Sequence, residues 1–248
     1  MRADVLFGAA EAVPADVAGR VVVVIDVLRA STTIAVALAN GARAVIPLAS
    51  AEDVVLRSKS FERSEVRLAA ERKMLAVPGM DLGNSPSEFT RDALDGKTVL
   101  LATTNGTAAL LAMQGAREVV VGAFVNFSAI SVLLRAALRG GADVTLVCAG
   151  RDRQYSLEDA ACAGRYVRFM AKHYPALTYN DAARSAAVLE RRYSDDLTRL
   201  FIDAEHGQAL REAGFAADLD MCAALDAYPV VPVFQDRQIT KIGPDRER

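Results

Sequence analysis

The chain is poor in the side chains that build disulfide frameworks and zinc centres. Of its 248 residues only three are cysteines, at Cys148, Cys162 and Cys222, and only two are histidines, at His173 and His206. An odd number of cysteines without paired spacing does not fit a disulfide framework and favours a reducing cytoplasm. Because neither a Cys-x-x-Cys nor a His-Glu-x-x-His motif occurs, the sequence argues against a zinc site. A bound metal is expected to take oxygen ligands, and Mg²⁺ is the favoured ion.

An excess of one charge and a long apolar run are also missing. Lys and Arg number 29 and Asp and Glu number 31, which gives a net charge of −2. A phosphate backbone requires a basic face, so this balance argues against a nucleic-acid partner. No run approaches the roughly 18 apolar residues of a membrane span, and Asp4 and Glu11 interrupt the region where a secretory signal would lie. We therefore expect no membrane partner and a cytoplasmic location.

What the sequence does contain is a strand-loop-helix pattern that occurs three times. The clearest strand, Val21–Ile25, is a run of β-branched residues typical of a strand buried on both faces of a parallel sheet. The other predicted strands are 44–47, 98–102, 118–121, 143–148 and 230–234, and the predicted helices are 31–40, 51–59, 108–114, 157–172 and a helical region over 178–226. This order predicts an α/β fold with three layers, α/β/α, around a largely parallel or mixed sheet. Residues 1–248 are expected to form a single compact unit.

A short repeat raises the hypothesis of two related halves. Gly41-Ala42-Arg43 and Gly115-Ala116-Arg117 each follow a predicted helix and precede a predicted strand. One interpretation is a pseudo-repeat of residues 20–95 and 96–170 that forms two intertwined, duplicated βαβ halves. The alternative is chance recurrence of a tripeptide in an alanine-rich chain.

Asp26 ends the first strong strand, and in such sheets ligands collect beyond the carboxyl ends of the strands. Arg29 follows three residues later, and Ser31, Thr32 and Thr33 open a predicted helix. A carboxylate beside a guanidinium and a helix N-terminus can hold both a metal and an anion. The alternative is a structural Asp26–Arg29 pair in which the hydroxyl groups only cap the helix.

The sequence does not match two known classes of phosphatase that form covalent intermediates. Phosphatases with an aspartate nucleophile carry a second acidic residue two positions later, where this chain has Leu28. Cysteine-dependent phosphatases need an Arg six residues beyond the Cys, and here Gln154 stands six residues beyond Cys148. Cys148 is therefore interpreted as a small buried residue that ends a strand. Whether water or Asp26 attacks phosphorus stays open at this point.

A second polar loop, Thr103-Thr104-Asn105-Gly106-Thr107, follows the strand 98–102. Small hydroxylic residues and one glycine between a strand and a helix form a compact nest for phosphate oxygens. The loop is not a Walker motif, and no Gly-x-Gly-x-x-Gly fingerprint occurs in the chain. The alternative is a simple turn with a capping threonine.

Three further polar groups are candidates. Ser156-Leu157-Glu158-Asp159 has the form of a capping box, although Glu158 and Asp159 also follow a strand end and could meet Asp26 around Mg²⁺. Glu71-Arg72 and the segment around Asn84 precede a helix start at Ser85-Pro86, where Ser85 is the expected N-cap. Asn126 is interpreted either as a ligand contact or as the cap of the following helix.

Five ordered blocks over nearly the whole chain carry a family resemblance. They are Ile25-Asp26-Val27-Leu28-Arg29-Ala30, Glu71-Arg72, Asp81-Leu82-Gly83-Asn84-Ser85-Pro86, Thr103-Thr104-Asn105-Gly106-Thr107, and Ser156-Leu157-Glu158-Asp159 with Cys162-Ala163-Gly164. Together they resemble the 2-phosphosulfolactate phosphatase family of coenzyme M biosynthesis. The resemblance implies an α/β/α fold and a Mg²⁺-dependent phosphomonoester hydrolase that releases sulfolactate and phosphate. The implied partner is a small anionic phosphorylated substrate, and a homodimer is compatible with the sequence.

Two departures from the family pattern concern the substrate. The loop before Ser156 reads Arg151-Asp152-Arg153-Gln154 where the family is usually glycine-rich, and Ala108 stands where a basic residue often follows the threonine loop. Either change could alter how further anionic groups are held. A phosphatase for another small phosphorylated hydroxy acid and a non-catalytic anion-binding protein are therefore the alternative hypotheses.

The expected chemistry is charge neutralisation, which phosphoryl transfer needs more than covalent help. Mg²⁺ on Asp26, with Glu158 or Asp159, would polarise the phosphate and lower the pKa of a bound water. Arg29 and Arg72 could each clamp anionic oxygens with two N–H groups. The predicted catalytic residues are thus Asp26, Arg29, Glu158 and Asp159. The predicted substrate-binding residues are Arg72, Asn84, Thr103, Thr104, Asn105, Gly106, Thr107 and Asn126.

Overall fold

Eleven strands hydrogen-bond into one sheet in the computed structural model of the chain, which describes residues 1–152 and 154–242. The strands are β1 (Arg2–Leu6), β2 (Val21–Ile25), β3 (Ala44–Pro47), β4 (Val66–Arg72), β5 (Leu75–Ala76), β6 (Thr98–Ala102), β7 (Glu118–Gly122), β8 (Val144–Cys148), β9 (Thr178–Tyr179), β10 (Pro232–Gln235) and β11 (Gln238–Lys241). The α-helices are α1 (Pro14–Val17), α2 (Ala30–Ala39), α3 (Ala51–Ser58), α4 (Arg91–Leu94), α5 (Gly106–Ala112), α6 (Phe127–Arg139), α7 (Leu157–His173), α8 (Asp181–Tyr193), α9 (Leu197–Asp203), α10 (Glu205–Glu212) and α11 (Ala216–Ala223). The predicted α/β class with a mixed, mostly parallel sheet is confirmed.

The sheet consists of two parallel groups of strands joined by a hairpin. In the β2 half-sheet, strands β7, β2, β8, β1 and β9 are all parallel. In the β6 half-sheet, strands β3, β6 and β4 are parallel, and the short β5 pairs antiparallel with β4. The hairpin β10–β11 pairs antiparallel with β7 on one side and with β3 on the other. The strands of the two half-sheets therefore run in opposite directions along the continuous ladder.

Each half-sheet contains a strand from the other of the two candidate repeats, residues 20–95 and 96–170. Strand β2 lies between β7 and β8, whereas β6 lies between β3 and β4. The chain thus crosses from β2 through α2 to β3 in the other half-sheet, and it crosses back from β6 through α5 to β7. Gly41-Ala42-Arg43 and Gly115-Ala116-Arg117 occupy the same place in the two crossings, between the helix and the strand.

Helices α2 and α5 pack against strands of both half-sheets. One hydrophobic cluster contains Val22 and Val24 of β2 together with Val99 and Leu101 of β6, and it also contains residues of both helices. The first nine residues of α2 are buried, because this helix is enclosed by the two half-sheets. On the other face of β2, Val21 and its alternate neighbours pack against α6, α7 and α8, while α3 covers the outer face of β6. Burial on both faces explains why the β2 sequence shows no polar alternation.

Several elements differ from the sequence predictions. Helix α5 begins at Gly106, so Gly106 and Thr107 belong to the helix rather than to the preceding loop. The residues 86–88 form one 3-10 turn, and Ser85 makes no side-chain cap there. Strands β1, β4, β5, β9 and β11 were not predicted, because they are short or, as in β4, carry charged residues within the apolar pattern. Across the described residues, none of the helices has the length and apolar character needed to cross a membrane.

Candidate active site

A cavity of about 520 Å³ opens beyond the ends of β2, β4 and β6. Its wall is formed by Asp26, Leu28, Arg29, Glu71, Arg72, Lys73, Met74, Asn84, Thr103, Thr104, Asn105, Arg151, Asp152 and His206. Seven predicted site residues lie on this wall, from four separate segments of the sequence. The cavity walls hold four Lys and Arg side chains against three Asp and Glu side chains.

Asp26 is held at the end of β2 by the first turn of α2. Its Oδ1 accepts a hydrogen bond from the backbone N–H of Ala30 at 3.2 Å, and its own N–H donates to Ser31 Oγ at 2.9 Å. Burial raises the pKa of Asp26 to about 6, although the charge of His206 acts in the opposite direction. A buried carboxyl group of this kind is costly in its ionised form unless a cation accompanies it.

Gly106 allows the start of α5 to approach Asp26 closely. A Cβ atom at this position would lie 2.6 Å from Asp26 Oδ2 and 2.6 Å from the Cβ of Ala30. Glycine is therefore required here so that the two crossing helices can begin side by side. Its role in the site is to permit this approach, since Gly106 itself does not line the cavity.

Arg29 is paired with a residue that the sequence did not suggest. Its Nη1 donates to Asp218 Oδ2 at 2.7 Å, and its Nη2 donates to the carbonyl oxygen of Met74 at 2.7 Å. The alternative of an Asp26–Arg29 pair is thus wrong. Ser85 also turns to Asp218, because its Oγ donates to Asp218 Oδ1 at 2.6 Å instead of capping a helix.

The hydroxyl groups after Arg29 have structural partners. Thr32 Oγ1 donates to the carbonyl oxygen of Val27 at 2.9 Å, and Thr33 Oγ1 donates to that of Asn84 at 3.0 Å. Both threonines are fully buried. The second bond ties the Asn84 segment to α2 and so places this residue on the cavity wall.

Glu158 and Asp159 lie at the start of α7, beside the main cavity. Ser156 Oγ accepts from the N–H of Asp159 at 3.3 Å, which confirms it as the N-cap. Asp159 accepts from the backbone N–H of Val27 at 2.8 Å and from that of Gly150 at 3.2 Å. Burial, with the charges of Glu158 and Asp26, raises the pKa of Asp159 well above its usual range.

Glu158 faces a second, smaller cavity that adjoins the first. This cavity measures about 290 Å³ and shares Arg151 and His206 with the main one. The Oε1 of Glu158 lies 3.3 Å from Nδ1 of His206, which follows the start of α10. His206 therefore stands between Glu158 on one side and the main cavity on the other.

The predicted metal ligands do not form a closed centre. Among the described residues, no three His, Cys, Asp or Glu side chains are grouped so that they could hold an ion by themselves. Mg²⁺ is nevertheless commonly bound by one or two protein oxygens together with waters and substrate phosphate. Asn84 offers such an oxygen, since its buried Oδ1 finds no hydrogen-bond partner in the described part of the chain. Asp26 and Asn84 thus fit a Mg²⁺ ion that is completed by the substrate.

The threonine loop is held by its own hydroxyl groups. Thr107 Oγ1 donates to the carbonyl oxygen of Thr103 at 3.0 Å, and Thr103 Oγ1 accepts from the N–H of Thr107 at 3.2 Å. Thr104 Oγ1 donates to the Glu71 carboxylate at 3.2 Å, and Asn105 Oδ1 accepts from the N–H of Asp152 at 3.2 Å. Thr107 is fully buried and fixes the backbone of Thr103, whereas Thr103, Thr104 and Asn105 face the cavity.

A tight hairpin between β4 and β5 forms the outer wall. Lys73 and Met74 have left-handed φ angles of 49° and 71°, which fit a two-residue turn. Glu71 Oε1 accepts from the N–H of Met74 at 2.6 Å and stabilises this turn. Arg72 is 69% exposed at the rim, 3.7 Å from Glu52, so its guanidinium is free to turn towards a bound anion.

Two residues considered at the sequence level lie away from the cavity. Asn126 is fully buried: its Oδ1 accepts from the N–H of Ala123 at 2.8 Å, and its Nδ2 donates to the carbonyl oxygen of Val121 at 3.0 Å. The structure thus corrects its assignment as a substrate-binding residue. It also corrects the capping interpretation, because the Asn126 side chain makes no cap of α6 and instead ties the end of β7 to the 3-10 turn 124–126. Cys148 is also buried, and burial, followed by the charge of Asp159, raises the pKa of its thiol well above the usual range. Arg153 lies outside the described residues.

Comparison with known proteins identifies the family. A family profile described as 2-phosphosulpholactate phosphatase matches residues 8–237. The chain belongs to this family. A probable 2-phosphosulfolactate phosphatase of Symbiobacterium thermophilum is 40% identical over 224 residues, which cover 90% of this chain and 95% of the relative. A probable 2-phosphosulfolactate phosphatase of Carboxydothermus hydrogenoformans is 41% identical over 234 residues, which cover 94% and 92% of the two chains.

For this member of the 2-phosphosulfolactate phosphatase family, sequence reasoning missed the contributions of the C-terminal helices. His206 and Asp218 are separated from Asp26 and Arg29 by more than half of the chain. Neither residue belongs to a motif. A single His or Asp in a helical region has no partner residue at a characteristic spacing that would mark it as functional. A partial signal existed for Asp218, because it falls among apolar residues in a segment predicted to be helical.

Proposed function

We propose that this chain is a Mg²⁺-dependent phosphomonoester hydrolase that converts 2-phosphosulfolactate and water to 3-sulfolactate and inorganic phosphate. The observation that carries the proposal is the pair Asp26 and Arg29. Both side chains are buried on the wall of one cavity, and they have separate partners rather than each other. Among the described residues Asp26 has no ion-pair partner, and such a buried carboxyl group on the same wall as a buried guanidinium suits a ligand that combines a cation with an anion.

The cations of the cavity wall match a substrate with several negative charges. Arg29 lies deep in the site, whereas Arg72 and Lys73 lie on the hairpin at its rim and Arg151 lies on the opposite loop. We assign Arg29 to the transferring phosphoryl group, because it is held rigidly next to Asp26. The more exposed cations are assigned to the carboxylate and sulfonate groups. These groups do not react, so they need to be bound but not oriented as exactly as the phosphoryl group.

Asp26 and Asn84 would hold the Mg²⁺ ion. When bound, the ion would neutralise negative charge on the phosphoryl oxygens and acidify a nearby water. Glu158 and Asp159 are assigned to the support of the site, because each contacts a group that borders the cavity. Glu158 orients His206, and Asp159 fixes the backbone of the segment that follows Asp26.

A second candidate function is hydrolysis of another small phosphorylated hydroxy acid. It is favoured by Arg151, which stands at the position where the family is usually glycine-rich and which lines both cavities. It pairs with Glu205 at 3.9 Å, and this carboxylate is highly exposed, so Arg151 retains its attraction for a ligand anion. A cation added to the wall would favour a substrate with a different arrangement of anionic groups.

Phosphate release from a panel of compounds tests these proposals. The panel contains 2-phosphosulfolactate, 2-phospholactate, 2-phosphoglycerate and phosphoglycolate, each with Mg²⁺ and with EDTA. Highest kcat/KM for 2-phosphosulfolactate supports the first proposal, and a higher value for another acid supports the second. Asp26→Asn serves as the inactive variant, with Asp220→Asn, an exposed acid on α11, as its matched control. Equal release by Asp26→Asn and wild type, or no release from any compound, would contradict both.

A further inference from the structure

Three groups hold the guanidinium of Arg29. Asp218 and the Met74 carbonyl accept its Nη1 and Nη2 hydrogen bonds, and its Cζ lies 4.4 Å from the ring centroid of Phe215. The side chains of Arg29 and Asp218 are only 2% and 3% exposed. Two hydrogen bonds fix the direction of the guanidinium, and contact with an aromatic face restrains its plane.

The partners of Arg29 are themselves fixed. Asp218 uses its second oxygen to accept from Ser85 Oγ, so the carboxylate is held at both ends. Phe215 directly precedes α11, which carries Asp218. Met74 is fixed by the tight hairpin turn and by its N–H bond to Glu71. Groups from two distant parts of the chain, Met74 and the segment that holds Phe215 and Asp218, thus converge on one guanidinium.

We infer that Asp218 is a positioning residue of the anion site, acting through Arg29. A guanidinium carries five N–H groups. Within the described residues, Asp218 and Met74 accept one each, so the others are left for a ligand in the cavity. Asp218 thereby fixes where those donors lie. The inference rests on the proposed function, because it assumes that the ligand of Arg29 is a phosphoryl group.

The alternative is an ion pair that only stabilises the fold, and a second buried pair provides the control for it. Glu190 on α8 is 4% exposed, and its Oε1 lies 3.1 Å from Nε of Arg165 on α7, away from the cavity. Glu190→Gln should lower the melting temperature without changing kcat/KM. Asp218→Ala should lower the melting temperature and also lower kcat/KM by about 10- to 100-fold, the loss expected when one charge-assisted hydrogen bond is displaced.

Conservative variants separate geometry from fold stability. Asp218→Asn keeps an oxygen that can accept from Arg29, so it should recover most of the kcat/KM lost in Asp218→Ala. Ser85→Ala leaves the ion pair in place but frees one end of the carboxylate, and it should lower kcat/KM by a smaller factor. This second variant changes little volume and keeps the test available if Asp218→Ala does not fold.

A double-mutant cycle with Arg29→Lys decides whether Asp218 acts through Arg29. If it does, Asp218→Ala should cause little further loss in the Arg29→Lys background. Additive losses, or Asp218→Ala kinetics equal to those of Glu190→Gln, would overturn the inference.

Calorimetric binding of inorganic phosphate gives a readout that does not require turnover. We expect about 10- to 100-fold weaker binding for Asp218→Ala and unchanged binding for Glu190→Gln. If the wild type binds phosphate but hydrolyses no compound, the proposed function fails and this series still tests the positioning role. If the wild type binds no phosphate at millimolar concentration, the positioning role itself is wrong.

Discussion

Asp26→Asn should make the metal-free protein more stable and also inactive. Burial raises the pKa of Asp26 from 3.8 to about 6, so the native state holds its proton more tightly than the unfolded chain does. The protonated Asp26 carboxyl group therefore stabilises the native state relative to the ionised group. This contribution is fully present below pH 3.8 and is lost as the pH rises through 6. At about 1.4 kcal/mol per pH unit, ionised Asp26 costs the native state about 3 kcal/mol at pH 7. Asparagine keeps the oxygen that accepts from Ala30 and removes this cost.

Thermal unfolding in EDTA between pH 4 and pH 8 measures the effect. For a chain of this length, about 3 kcal/mol corresponds to a melting temperature higher by roughly 6–12 °C in the variant at pH 7. The difference should shrink towards pH 4, where wild-type Asp26 is protonated. Adding Mg²⁺ should stabilise the wild type and leave the variant unchanged, since ligand binding raises native stability by linkage.

The control and the activity assay complete this test. Asp220→Asn, at an exposed site, should show neither the stability gain nor the loss of turnover. The Asp26→Asn variant should lose at least ~10²-fold in kcat. A wild type that is the more stable of the two at pH 7 in EDTA, or a variant with kcat within a few-fold of wild type, would refute the reasoning.

Three other outcomes are expected. Removal of divalent ions with EDTA should abolish phosphate release and Mg²⁺ should restore it; full turnover in a sample shown by elemental analysis to be metal-free would contradict the proposed role of the ion. Cys148→Ser should keep most of the activity, because the thiol is buried away from the cavity, and detection of a phosphocysteine intermediate by mass spectrometry would show otherwise. Arg29→Lys should lower kcat/KM by roughly 10- to 100-fold, since an ammonium cannot reproduce the fork of N–H groups; steady-state kinetics with wild-type values would argue that Arg29 does not contact substrate.

The central part of the fold was predictable because its sequence signals are local. Strand β2 shows an apolar run, α2 follows it at once, and the pattern recurs at β6–α5 and β8–α7. The carboxyl ends of such strands are where side chains can meet a ligand, so Asp26 and Thr103–Asn105 could be placed in the site. The polar segment around Asn84 lies on the same wall, because the carbonyl oxygen of Asn84 accepts a hydrogen bond from Thr33 on α2.

The remaining parts of the site depend on contacts that no local pattern records. Arg29 was assigned to the site, but its partner Asp218 is 189 residues away and joins it only after α11 has packed. Asn126 was assigned to the substrate but bonds to the backbone instead. An asparagine after a strand can fill either role, and its sequence does not distinguish them. The contact between Glu158 and His206 could not be predicted either, because His206 lies on a helix that carries no motif.

The exchange of strands between the half-sheets has a consequence for synthesis on the ribosome. Strands β3 and β4 can form their ladder only after β6 has been made, and β2 waits in the same way for β7 and β8. The hairpin β10–β11, which joins the two half-sheets, comes last. The β6 half-sheet can therefore pair once β6 has emerged, whereas both edges of β2 stay open until β7 and β8 are made. Such long-range pairing predicts slow folding, and an apolar strand with open edges is prone to aggregate while it waits for its partners.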